Sequence, residues 1–440
     1  MDRLEIALIS VPVLLGMIFL RVPIGLAMLL CGIGGTAIVT GRWLPILASL
    51  KSLTYDVFSN HSLSIIPLFL LMGQFATKGG MSESLFRAAA AFLGHRKGGV
   101  AMAGVGACAG FGAICGSSLA TAATMAQVAL PEMRRYGYSG ALSTGSLAAG
   151  GTLGILIPPS IVLVIYAILA EQNIVKMFIA AVIPGIMAAV GFMIVIAIYV
   201  RINPSAAKLG ERVDFAGRMR AILDVWPVAL IFLLVIGGIY IGWFTPTEAA
   251  AVGAAGTGIL ALRSGELDWK GLRECLLATA VSTAMIYFIV FGAQVYNTFL
   301  AFSQLPQTTA EWVAMSGFNP WTVLILILLA YLIFGCFMDS LSMILLTIPI
   351  FFPLIMTLDF GMGPEETAIW FGILVLIVVE LGLVTPPVGM NIFIINSLAP
   401  DIPLTQTYRG VVPFLIAEVI RVALLAAIPG IILFLPRLLQ

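Results

Sequence analysis

A dozen apolar stretches follow one another along this chain, near 4–20, 22–40, 61–77, 100–131, 138–170, 177–200, 221–243, 246–262, 276–302, 320–357, 367–399 and 410–436. A helix crossing the hydrocarbon core of a bilayer takes about 20 apolar residues. Such a helix satisfies its own backbone in the absence of water. With 61% hydrophobic and only 10% charged residues, the chain has too few polar side chains to cover a water-facing surface, since soluble domains carry about 25% charged residues. The expected class is an all-α polytopic membrane protein. A formal net charge of +1 leaves no basic excess to neutralise phosphates, which argues against nucleic acid as a partner. The apolar content also excludes disorder.

Cysteine and histidine add little chemistry. Cys31, Cys108, Cys115, Cys275 and Cys336 show no paired metal or redox spacing, so they are read as packed thiols. His61 and His95 give a histidine centre little to work with. Met1–Arg21 begins acidic and lacks both a basic stretch before its apolar run and a small-residue cleavage site. It is expected to stay as the first helix.

The most polar interruption, Arg201–Arg220, holds Arg201, Lys208, Glu211, Arg212, Asp214, Arg218 and Arg220 and falls near mid-chain. It divides two halves that share an ordered series of anchors. Gly112-Ala-Ile-Cys-Gly-Ser117 can be laid on Gly335-Cys-Phe-Met-Asp-Ser340, and Gly154-Ile-Leu-Ile-Pro158-Pro159 on Gly382-Leu-Val-Thr-Pro386-Pro387. Val182-Ile-Pro184 falls on Val411-Val-Pro413, and Gly73 on Gly292.

Charge indicates how the halves are oriented. Arg96–Lys97 and Arg134–Arg135 bracket the first glycine-rich segment, which places both its ends in the cytoplasm by the positive-inside rule. The second is bracketed by Asn319–Pro320 and by Asp359, Glu365 and Glu366, so both its ends are expected outside. The halves are inverted, with both termini external; Arg3, Arg42, Lys51, Lys176 and Arg437 are exceptions to the rule. Inverted repeats are a common plan of secondary transporters, whose sites lie near the midplane at interrupted helices. The expected organisation is scaffold helices at 1–60, a first repeat at 61–200, a linker with central scaffold helices at 201–275, and a second repeat at 276–440.

Two kinds of interruption carry the chemistry. Gly98–Met133 is short for two full crossings, and Cys115-Gly-Ser-Ser118 is its natural apex. It reads as a re-entrant hairpin near 98–133, or else as a tight pair of spanning helices packed through small residues. Its counterpart lies near 320–357, with its tip around Phe337–Ser342.

The double prolines interrupt helices near 138–170 and 367–399. Lacking N–H groups, Pro158 and Pro159 strand the carbonyls of Gly154 and Ile155, and Pro386 and Pro387 those of Gly382 and Leu383. Bare carbonyls in low dielectric are costly, and a hard monovalent cation would satisfy them. A proline kink patched by serine, threonine or water is the plainer alternative.

The second arm of each hairpin starts a helix, where free N–H groups and the macrodipole favour an anion. Ser117, Ser118, Thr121, Ser340, Ser342, Thr385 and Asn391 supply side-chain donors there, suited to a carboxylate, though each also suits helix capping. Asp339, ionisable at membrane depth, reads as a cation ligand, a proton carrier or a cap. Glu380 is expected to lie shallower, and Glu418 with Arg421 to form a structural i,i+3 pair.

Gly-Ser-Ser-Leu-Ala-Thr at 116–121, Gly-Thr-Leu-Gly-Ile-Leu-Ile-Pro-Pro-Ser at 151–160 and Gly-Leu-Val-Thr-Pro-Pro-Val-Gly-Met-Asn at 382–391 give the chain a resemblance. It is similar, over essentially its whole length, to the large permease subunit of TRAP transporters, the tripartite ATP-independent periplasmic class. The resemblance implies an elevator-type carrier in a bacterial inner membrane, driven by sodium ions. It would work with a separate small membrane subunit of about four helices and a periplasmic binding protein that delivers an organic acid. It also implies sodium ligands at Ser117, Gly154, Ile157 and Pro159 in one half and at Asp339, Gly382, Thr385 and Pro387 in the other. The proline argument reaches Gly154 and Gly382 as well, but adds Ile155 and Leu383 where the family pattern points to later residues. Cys115 stands where relatives often have serine.

Two other functions fit parts of the pattern. A single-component dicarboxylate or citrate carrier would have similar hairpins and need no binding protein. An intramembrane hydrolase would use a serine of Gly116-Ser-Ser118, yet neither His61 nor His95 falls in that motif to act as its base.

Overall fold

Apolar length and proline placement set the helices of the computed structural model, which describes residues 2–210 and 212–439. Among those residues there is no strand. Glu211 of the linker lies outside them, and the linker is helical again from Phe215. Ile174–Ile202, Phe215–Ile241, Trp269–Ser303 and Leu404–Ala427 are each long and apolar enough to cross a bilayer.

The two halves repeat one order of elements. In the first, Ile65–Lys78 leads into the short helix Met81–Leu93. Next come a hairpin of Gly99–Cys115 and Ser118–Arg135, a broken helix of Gly140–Leu156 and Ile161–Leu169 bent by 46°, and the closing helix Ile174–Ile202. In the second, Trp269–Ser303 leads into Leu305–Met315. A hairpin of Pro320–Gly335 and Ser340–Met356 follows, then a broken helix of Pro364–Gly382 and Met390–Leu398, then Leu404–Ala427.

The hairpin arms have 16 to 18 residues each. At 1.5 Å per residue they reach about 25 Å, short of the roughly 30 Å core. That length favours re-entrant hairpins over pairs of full crossings.

Ion pairs show that the broken helices run antiparallel. Lys176, just after the end of the first broken helix, lies 2.6 Å from Glu365 at the start of the second. At the opposite end Arg134, just before the first broken helix, pairs with Asp401, just after the second. Arg437 lies 2.7 Å from Glu366. Two of the charges that broke the positive-inside pattern, Lys176 and Arg437, thus have acidic partners at one end of the molecule.

Three helices do not show as apolar stretches: Leu44–Phe58, Met81–Leu93 and Leu305–Met315. The first two carry charge among their apolar residues (Lys51 and Asp56; Glu83 and Arg87), and the third has only 11 residues. The upstream anchors serve different contacts. Gly73 lies against the Cys115 backbone at the first hairpin tip, and Gly292 against Gly25 of an N-terminal helix.

Candidate ion and substrate site

Each hairpin tip is seated on a helix break by a glycine-on-glycine contact. A Cβ on Gly112 would come 2.4 Å from Gly154 Cα, and one on Gly382 would come 2.6 Å from Gly335 Cα. These are the residues that the two sequence motifs align, so the repeat places one contact twice.

In the first half the hairpin turns at Gly116, whose φ of +63° is the left-handed region that favours glycine. Ser117 caps the second arm, its Oγ accepting the Ala120 N–H at 3.4 Å. The broken helix ends at Leu156, and Ser160 caps its restart by accepting the Leu163 N–H at 3.3 Å. Among the described residues no N–H or O–H reaches the Gly154 or Ile155 carbonyl, as the prolines require.

The tip and the break supply oxygens to one place. The Cβ position of Gly116 is 3.2 Å from Pro159 O. That of Gly154 is 2.5 Å from Thr121 Oγ1 and 2.7 Å from Ser117 O. Thr121 is fully buried, and its Oγ1 has no hydrogen-bond partner. The structure therefore brings Ser117, Thr121, Gly154 and Pro159 together. The side chain of Ile157 turns away to pack on Gly185.

The second half differs. Asp339 caps its hairpin arm, accepting the Ser342 N–H at 3.1 Å and the Ser342 hydroxyl. The expectation that Gly382 and Leu383 keep bare carbonyls is corrected here. Thr385 N–H donates to Gly382 O at 3.0 Å, and Asn391 N–H to Leu383 O at 3.1 Å. Thr385 Oγ1 donates to Leu381 O at 2.6 Å, and Tyr408 Oη reaches both Pro387 O and Val388 O, at 2.7 and 2.9 Å. The cause is the length of the break. Leu383–Gly389 is long enough to fold back and return N–H groups to the helix end, whereas Ile157–Ser160 is not.

Glu380, read from the sequence as structural, is 1% exposed. Its Oε1 accepts the Ser340 hydroxyl at 2.6 Å and the Ser118 hydroxyl at 3.4 Å. The sequence signal was a lone acid in an otherwise uncharged apolar run, which marks function at membrane depth. Ser118, Thr121, Ser340 and Asn391 are all buried, and Ser117 is half-buried. Asn391 crosses to the first half, its Nδ2 donating to Ala148 O at 3.5 Å, while its Oδ1 has no partner. Arg421 pairs with Glu418 as expected, and its Nη1 also donates to Pro184 O at 2.7 Å, joining the closing helices of the two halves.

A protein-family model described as the tripartite ATP-independent periplasmic transporter, DctM component, matches residues 11–431. The C4-dicarboxylate TRAP transporter large permease protein DctM of Pseudomonas aeruginosa is 39% identical over 88% of this chain and 90% of its own length. The sialic acid TRAP transporter large permease protein SiaM of Vibrio cholerae is 31% identical over 96% of this chain and 97% of its own. Among solved structures, the Alcanivorax borkumensis YdaH transporter has a TM-score of 0.58 at 14% identity, covering 87% of this chain and 89% of that one. At that identity the likeness is one of fold.

Proposed function

The chain belongs to the tripartite ATP-independent periplasmic transporters as their DctM component, the large permease, and from that premise we propose that it imports an organic acid in symport with sodium. It is a multi-pass membrane transport protein and not an enzyme. The sodium reading is carried by the first break, where the Gly154 and Ile155 carbonyls have no donor and the buried Thr121 hydroxyl, 2.5 Å from the Cβ position of Gly154, has no hydrogen-bond partner. Oxygens left bare in low dielectric are costly, and a sodium ion held by Ser117, Gly154, Ile157 and Pro159 would satisfy the site. Asp339, Gly382, Thr385 and Pro387 form the corresponding site of the second half, already largely bonded and needing less from an ion.

The substrate is a carboxylate, such as a C4-dicarboxylate or sialic acid, the compounds for which two of the relatives are named. It would be received by the helix starts and by Ser117, Ser118, Thr121, Ser340 and Asn391. Both hairpins and both broken helices would move together as one transport body against the remaining helices, in the manner of an elevator. The partners are a small membrane subunit and a periplasmic binding protein, the location is the bacterial inner membrane, and both termini face the periplasm.

Uptake into proteoliposomes tests this. The chain is reconstituted with the small subunit and supplied with binding protein and a panel of organic acids. Accumulation should follow an imposed sodium gradient and should stop without the binding protein. Uptake by the chain alone would mean a single-component carrier, and accumulation indifferent to sodium would refute the coupling.

A further inference from the structure

Two carboxyls are fully buried among the described residues. Glu418 has Arg421 as its cation, and Glu380 has none. Glu380 lies on the last turn of Pro364–Gly382, the helix that Gly382 seats against Gly335 of the second hairpin. From there its Oε1 receives Ser340, the first residue of the second hairpin's second arm, and Ser118, the first residue of the first hairpin's second arm. Oε2 is buried with no partner. One carboxyl oxygen thus holds the opening residue of a hairpin arm from each half. The residue just before each is a cap and a candidate ion ligand, Ser117 or Asp339.

We propose that Glu380 is a positioning residue that couples the two halves of the site, so that an ion settling at one hairpin tip sets the geometry of the other. The physical path is short and continuous: cap, first helical residue, carboxyl, first helical residue, cap. Binding at Ser117 moves Ser118, which shares Oε1 with Ser340. Any change in that shared bond is passed to the Asp339 cap beside it. The coupling rests on the sodium reading above.

The test is thermal unfolding of the full chain with its small subunit in detergent. Sodium chloride is titrated against choline chloride at constant ionic strength. The wild type should be stabilised by sodium with a Hill coefficient above one. Glu380→Ala should bring the coefficient to about one and raise the half-maximal sodium concentration about fivefold, the lower end of ordinary coupling between sites. Glu380→Gln retains an Oε1 that accepts the Ser340 hydroxyl and should restore the steepness. If Glu380→Ala does not fold, Ser118→Ala removes the cross-half bond alone and should flatten the response in the same way. Both variants as steep as the wild type, or Glu380→Gln failing to restore steepness, would overturn the coupling. A sodium-specific but non-cooperative wild type would overturn the coupling alone, and a wild type blind to sodium would overturn the sodium reading beneath it.

Discussion

The two helix breaks are written with one sequence plan, glycine followed four residues later by a double proline, yet they meet the missing N–H groups in opposite ways. At the first, Pro158 and Pro159 are buried, the stranded carbonyls stay bare and the nearby Thr121 hydroxyl is unpartnered. At the second, Pro386 and Pro387 are exposed, the Thr385 and Asn391 N–H groups turn onto the freed Gly382 and Leu383 oxygens, and Tyr408 of the next helix reaches the loop carbonyls of Pro387 and Val388. A repeated motif therefore guarantees a repeated break but not a repeated electrostatic state. The short, buried break depends on something from outside the chain, and the longer, exposed one supplies most of its own partners.

The largest expected effect comes from filling the glycine contacts. Gly154→Val and Gly382→Val should each take uptake to background while leaving membrane insertion intact, since overpacking costs about 1–3 kcal/mol at the point where tip and break meet. The milder alanine variants separate the halves. A Cβ on Gly382 meets backbone of Gly335 and Cys336, so Gly382→Ala should lower the melting temperature more. A Cβ on Gly154 meets Thr121 Oγ1 and Ser117 O, so Gly154→Ala should blunt the sodium response more. Equal, unchanged sodium dependence in both would erase the distinction.

Thr121→Val comes next. Removing a buried hydroxyl without a partner should leave stability in choline buffer within about 1 kcal/mol of wild type. The half-maximal sodium concentration should rise by up to about tenfold, the weight of one oxygen contact to a charged group, because the hydroxyl borders the Gly154 ligand. Thr385→Val instead loses the bond to Leu381 O and should cost about 1 kcal/mol of stability, with little change in sodium response because the hydroxyl is already spent and the ligating carbonyl is kept.

Tyr408→Phe removes the hydroxyl that reaches Pro387 O and Val388 O and should leave both loop carbonyls bare, bringing the second break nearer to the first. Stability without sodium should fall by about 1–2 kcal/mol, and sodium should restore more of it than in the wild type. A variant equally unstable with and without sodium would mean that the second break takes no ion. The smallest effect is expected from Lys176→Gln. Its pair with Glu365 is partly exposed, and surface pairs contribute about 0–1 kcal/mol that salt screens away.

Much of this was legible before any coordinates. Apolar run length located the four helices that are long and apolar enough to cross a bilayer, and the hairpins read as segments short for two crossings. The prolines located both breaks, because loss of an N–H is a local covalent fact. What could not be read was tertiary. Whether Gly382 O finds Thr385 depends on how a loop folds back, which no periodicity encodes. The surroundings of Glu380 could not be read, because its two serine partners lie 40 and 262 residues away in sequence. Met81–Leu93 was missed because its mixed charge hides a helix among apolar neighbours. For the candidate site, Ser117, Thr121, Gly154 and Pro159 are found together, and the apolar side chain of Ile157 packs on Gly185, so that only its carbonyl is available as a ligand.

A high-resolution cryo-EM map of the full complex in saturating sodium, compared with one in choline, would examine the first break itself. It should contain ion density within coordination distance of Ser117, Gly154 and Pro159 in sodium alone, with the break intact in both. A first break whose carbonyls are met by ordered water in both salts, or a helix running unbroken through Pro158 and Pro159, would contradict it.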